Sequence, residues 1–235
     1  MAKIRSIIMT LVVFSVSVIS VLPQQPTPDE IIKRFAQRET EAKQARNRYT
    51  YLEDMVLQPV TSFGFVEGKY TRSCSVSFVN GERKESFLEE KNGMKGPRIT
   101  PADLRDLATI YQFFLTEKEL PDYKLNFVKA EKVDELNTYV FDVRPAHTPD
   151  PRKSTDRVFV GQIWIDDKDF QIVKIAGHSE PEYGGNRSAR FETYYTFVAD
   201  KYWFPWQTVS DDVMATGRAN KVTMKVVYSQ YKLAK

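Results

Sequence analysis

Two histidines, one cysteine and a few close carboxylates are the side chains through which this 235-residue chain could do chemistry. His147 sits in a Pro- and Asp-rich loop, and His178 ends an apolar strand segment. Neither has another histidine, or Cys74, at metal-ligand spacing, so each reads as a surface or loop histidine. Asp166, Asp167 and Asp169 resemble calcium ligands in type, but the central glycine and distal glutamate of a calcium loop are missing, and they read as a solvated turn. Glu89 and Glu90 are adjacent, so on a strand they point to opposite faces and cannot share a proton. No G-x-S-x-G, phosphate-binding or dinucleotide-binding glycine motif occurs. Asn186-Arg187-Ser188 matches a glycosylation sequon as a bare pattern. The expectation is a protein that is not an enzyme and holds no metal or cofactor; His178, close to Gly184-Gly185, is the one foothold for the opposite view.

What is left is aromatic and aliphatic surface, carried on strands. Val158, Phe159, Val160, Ile163, Trp164 and Ile165 fill one arm of a hairpin around the Asp166–Asp169 turn; Phe170, Ile172, Val173 and Ile175 fill the other. β-branched and aromatic residues favour strands, and both faces of these two are apolar, so both need cover. A second concentration, Tyr194, Tyr195, Phe197, Tyr202, Trp203, Phe204 and Trp206, crowds a later hairpin. The last strand alternates cleanly, with Val222, Met224, Val226 and Tyr228 on one face and Lys221, Thr223, Lys225 and Ser229 on the other. Periodicity by itself favours a filled core over a ligand cavity, and a register error of one residue would swap the inward set.

These strands sit in an all-β frame with two helices. Thr27-Pro28-Asp29-Glu30 has the form of a capping box with proline at the first helical position. The helix it opens is apolar at Ile31, Ile32 and Phe35 and almost wholly polar from Ala36 to Arg48, which predicts a surface helix held by its first two turns. Thr100-Pro101-Ala102-Asp103 opens a second helix to Leu115, with Leu104, Leu107, Ile110 and Phe114 on one face as a lid or plug. Asn80-Gly81 marks a tight hairpin. Nine to eleven strands are expected, joined mostly by short antiparallel connections.

Residues 1–25 read as an export signal, with residues 26–235 as one domain. Lys3 and Arg5 precede an uncharged run from Ile7 to Leu22, shorter than the ~20 residues of a permanent span, and Pro23 ends it. The expected location is the periplasm after cleavage, with an N-terminal anchor at the inner membrane as the alternative. The chain's 34 basic and 31 acidic residues become 32 and 31 without Lys3 and Arg5, a net charge of +1. Nucleic acid is therefore not an expected partner, and a monomer is the expected state. A single cysteine excludes an internal disulfide.

The order of these features resembles the bacterial lipoprotein-localisation superfamily, the outer membrane lipoprotein-sorting proteins. The matching residues are Gly161-Gln162-Ile163-Trp164-Ile165-Asp166, the turn, and Phe170-Gln171-Ile172-Val173-Lys174-Ile175. Phe197, then Trp203-Phe204-Pro205, and Tyr49 with Tyr51 after a polar helix, continue the likeness over most of residues 28–232. The resemblance implies a mainly β (α+β) fold, a curved antiparallel half-open β-barrel with helices closing its concave side. It implies a carrier that takes lipids or the acyl chains of lipoproteins into an apolar cavity, with a membrane-protein donor or acceptor as partner. Strand alternation assigns Trp164, Phe191, Tyr195, Phe197, Val222, Met224, Val226 and Tyr228 to that cavity. The long polar segment between Val60 and Pro97 departs from the family's carriers. An envelope sensor of the same fold, binding a membrane protein through loops such as Pro145–Asp156, is the rival expectation.

Overall fold

A computed structural model describes residues 25–95, 113–150, 152–153, 157–181, 189–213 and 221–234. Among them are one α-helix, α1 (Pro28–Arg46), a short 3-10 turn (Leu120–Asp122) and ten strands. The strands are β1 (Tyr49–Val60), β2 (Tyr70–Val79), β3 (Glu82–Asn92), β4 (Tyr123–Val133), β5 (Leu136–Pro145), β6 (Val158–Asp166), β7 (Ile172–Glu180), β8 (Phe191–Val198), β9 (Tyr202–Ser210) and β10 (Lys221–Leu233). They form one antiparallel sheet in the order β3-β2-β1-β10-β9-β8-β7-β6-β5-β4, which leaves β3 and β4 as edges and does not close into a barrel. Every neighbour in that order except β1 and β10 is joined by consecutive chain, as expected of a meander.

Local sequence explains the corners. Asn80 and Gly81 both have positive φ, 52° and 80°, the pairing that a two-residue hairpin turn demands. At the β6–β7 turn the Asp166 carboxylate accepts the N–H groups of Lys168 and Asp169, which organises the turn. At α1, the side chain of Thr27 accepts the Glu30 N–H while the Glu30 carboxylate accepts the Thr27 N–H, completing the capping box.

One face of the sheet carries α1. Ile31 and Phe35 join a single apolar cluster with Tyr70 and Val76 of β2, Met55 and Leu57 of β1, Val222 to Tyr228 of β10, Ile163 and Ile165 of β6, and Phe141 and Val143 of β5. Ten strands spaced ~4.8 Å apart would spread ~43 Å if flat, so gathering β2 and β5 around one helix requires the sheet to curl. Burying Phe35 alone is worth roughly 2–3 kcal/mol.

Two expectations change here. The polar half of α1 is not a solvated surface: Glu39, Ala42, Ala45 and Arg46 are all buried along with Ile31 and Phe35. Positions 31, 35, 39, 42 and 46 recur at helical spacing on one face, so the stripe continues in residues that polarity had hidden. Of the second helix, Leu104, Leu107 and Ile110 lie outside the described residues. Phe113, Phe114 and Leu115 are not helical. They form a strap along α1, with Leu115 in the core cluster and the Glu117 N–H donating to Thr40 Oγ1 at 3.2 Å. The Asn186-Arg187-Ser188 and Gly184-Gly185 sequences also lie outside the described residues, as does part of the Pro145–Asp156 loop.

Candidate functional site

The apolar inner face under α1 gathers most of the residues assigned by strand alternation. Six of the residues assigned by strand alternation come together there: Phe191, Val222, Met224, Val226 and Tyr228 are buried in the cluster, and Tyr195 packs against it. Tyr228 belongs to a hydroxyl chain, with Thr208 Oγ1 at 3.0 Å from its hydroxyl and 2.8 Å from Thr193 Oγ1. This chain satisfies the buried hydroxyls of Thr193, Thr208 and Tyr228.

Trp164 and Phe197 do not join them. Trp164 alternates with Ile163 and Ile165, which face the core, so its ring lies on the opposite face over Val140 and Val173. Its indole N–H donates to Glu131 Oε1 at 2.6 Å, and the Lys174 ammonium sits 4.8 Å from its ring centroid. The register of β8 against β9 shifts between Tyr194 and Tyr195, and beyond it Phe197 is opposite Trp203. The Phe197 ring lies 5.3 Å from that of Trp203, which packs into the Trp164 cluster, and Phe197 is 46% exposed. A bulge turned the alternation over.

The helix meets this surface with an unusual underside. Its first turns present Ile31 and Phe35, but its second half presents alanines and charges. Glu39 is buried, and desolvation raises its carboxyl to about 7 against the opposing pull of the Ile172 N–H, Arg46 and Lys43. Arg46 is buried with its Nε lacking a hydrogen-bond partner; its guanidinium lies 3.9 Å from the Phe114 ring centroid and 5.4 Å from that of Phe78. Burial raises the Tyr195 phenol, which also feels Glu39 and Arg46. The Tyr231 phenol is raised by burial as well; its hydroxyl donates to the Pro205 carbonyl at 2.5 Å. The strap adds an ion pair, Lys43 Nζ to Glu119 Oε1 at 2.8 Å.

Toward the β3 edge the inner face changes character. Arg83 Nη2 reaches Glu53 Oε2 at 2.6 Å, Arg83 also pairs with Glu85, and Glu85 pairs with Arg72, making a half-buried charge ladder across β1, β2 and β3. The alternating Arg72, Arg83, Glu85 and Glu53 positions could have been read from the sequence, but a charged residue on a strand is ordinarily assigned to solvent. At the other end of α1 a recess of about 170 Å³ lies between the helix and the β6–β7 turn, lined by Arg34, Arg38, Lys168, Asp169 and Phe170. The recess is charged and too small for an acyl chain. Among the described residues no group of three or more metal-ligating side chains is assembled. His178 lies 3.5 Å from Glu180, and His147 is exposed in its loop.

No family model matches the chain, and no curated protein matches it. Solved structures do. A domain described as an outer membrane lipoprotein-sorting protein from Vibrio parahaemolyticus is 14% identical with a TM-score of 0.43, over 84% of this chain and 91% of that one. A LolA superfamily protein from Nitrosomonas europaea is 12% identical with a TM-score of 0.36, over 89% and 94%. A DUF1329 family protein from Desulfovibrio piger is 10% identical with a TM-score of 0.44, over 86% and 92%. At TM-scores below 0.5 these likenesses do not bear on what this chain binds.

Proposed function

We propose that this chain is a non-enzymatic carrier of the cell envelope that shelters an apolar group, a lipid or the acyl chain of a lipoprotein, between its sheet and α1. The observation that carries this reading is the mismatch at the helix: a large apolar cluster on the inner face of the sheet is covered by a helix whose second half turns Glu39 and Arg46 inward. A cover built only to complete a core would present large apolar side chains there. Buried charges cost several kcal/mol each unless well paired, so this half of α1 is held less tightly than its apolar start. Displacing it would open the inner face, and each methylene buried in its place contributes ~0.8 kcal/mol. Export to the periplasm, with release to a membrane acceptor, is part of the same proposal. Among the described residues no helix is long and apolar enough to cross a membrane.

A filled core favours a second reading, a sensor or interaction module: Phe35, Phe141, Leu57, Ile163 and Ile165 are each at 0% exposure. Titration with a fluorescent fatty acid separates the two. The carrier saturates with one probe per chain, and Val226→Glu, folded by circular dichroism, does not bind. A wild-type protein that leaves the probe free is not a carrier.

A further inference from the structure

The turn between β1 and β2 is apolar where turns are ordinarily polar. Phe63, Phe65 and Val66 are 86%, 71% and 53% exposed, the first two among the most exposed large apolar residues of the described chain. They are not on a loose loop. The Thr61 N–H donates to the Phe65 carbonyl at 2.9 Å, the Gly64 N–H to the Thr61 carbonyl at 2.9 Å, and the Phe65 N–H to Thr61 Oγ1 at 3.1 Å. The Glu67 N–H returns to the Pro59 carbonyl at 3.0 Å, and Val60 bridges Val66. Gly64 takes φ +84°, and a Cβ built there would meet nothing within 4 Å, so the tip stands in open space.

A collar of cations surrounds this tip. Backbone bonds from Lys95 to Glu67 and from Gly93 to Lys69 lay residues 93–95 beside the turn, and Lys221 is opposite Val60. Lys69, Lys95 and Lys221 are exposed, and none forms an ion pair with a described residue. Two carboxylates border the same rim: Glu67 in the turn, and Asp212, whose Oδ1 accepts the Val222 N–H at 3.3 Å beside Lys221.

We infer that this turn is a membrane-contact site that takes the surface of an anionic bilayer, Phe63 and Phe65 entering the acyl boundary and the three lysines meeting lipid phosphates. The shape is convex, so it suits a deformable apolar medium, and the lysines supply the complementary charge. Because the turn is already ordered, contact costs little conformational entropy. It lies at the end of β1 away from α1: the 12 residues of β1 separate them by ~40 Å, so a docked protein keeps its helix free. The contact does not require cargo and stands whether or not the inner face carries any.

The test places an environment-sensitive nitrobenzoxadiazole dye at Ser62→Cys in the full chain; Cys74, 1% exposed, stays out of reach of the label. Vesicles of phosphatidylcholine with phosphatidylglycerol are compared with phosphatidylcholine alone by flotation and by dye emission. The expected result is a blue-shifted, brighter dye on anionic vesicles only, reversed by 0.5 M salt. Phe63→Ser with Phe65→Ser should lower partitioning roughly tenfold or more, and Lys69→Gln with Lys95→Gln and Lys221→Gln should weaken it on anionic vesicles. Any of three results overturns the inference: a dye that stays solvated while the protein floats, a double serine variant that floats like wild type, or a dye that responds to an added envelope protein but not to lipid.

Discussion

Glu39 and Arg46, seven residues apart on one face of α1, are both buried against the sheet at 5% and 7% exposure, so the helix turns two ionisable side chains toward the inner face. Most of the behaviour expected of the protein follows from that placement.

The pair makes stability pH-dependent. Folded Glu39 keeps its proton up to about 7, whereas the unfolded chain releases it near the ordinary 4.5. Between those values the folded state binds more protons, so this contribution to stability is present below about 4.5 and is lost as pH rises through about 7. The loss is on the order of 3 kcal/mol. Glu39→Gln, which keeps an acceptor for the Ile172 N–H, should remove this slope and melt higher than wild type at pH 8. Thermal melts of both proteins at pH 5 and pH 8 check it; parallel changes in the two would contradict it.

The charge ladder should behave differently. Glu53 and Arg83 are nearly enclosed, with side chains 3% and 8% exposed, so removing one partner strands the other. Arg83→Ala should cost about 3–5 kcal/mol, while Glu53→Leu with Arg83→Met should cost much less. Chemical denaturation of the single and double variants distinguishes this from a ladder that contributes equally in every combination.

Local chemistry made much of this fold legible in the sequence, and long-range geometry hid the rest. The Thr27–Glu30 box, the Asn80-Gly81 turn and the alternation of Val222 to Tyr228 each depend on residues close in sequence, and each is present. Phe197 departs from the alternation of its own strand because the shift at Tyr194/Tyr195 is a property of two strands in register. Alternation along β6 leaves open which face looks inward, and it is the Ile163 and Ile165 face that does, so Trp164 lies on the other. Glu39 and Arg46 escaped notice because polarity ordinarily marks the solvent side of a helix. Only the tertiary structure shows that this side is the inner one.

Gly161 and Gly177 face each other across β6 and β7 beneath the Phe159 ring. A Cβ on either would lie 2.7 Å from Phe159 Cζ and closer still to the partner strand's carbonyl oxygen. Gly177→Ala should therefore destabilise by about 1–3 kcal/mol. Phe159→Leu in the same chain should recover part of the loss, read as a shift in the urea midpoint. A neutral Gly177→Ala would mean that the two strands stand further apart.

The two faces of the sheet should separate in function. Trp164→Glu uncovers Val140 and Val173 and loses the hydrogen bond to Glu131, so it should lower the melting temperature and leave probe binding in the folded fraction unchanged. Met224→Glu, on the inner face, should abolish probe binding. Loss of binding in both, at matched folded fraction, would place the ligand elsewhere.

The most direct measurement is mass spectrometry of organic extracts from the protein purified gently from its native envelope. A lipid or acylated peptide in near-stoichiometric amount, absent from the Met224→Glu variant, is the predicted result and names the cargo. An extract without lipid, from a protein that also fails to bind added fatty acids and lipopeptides, would contradict the carrier function.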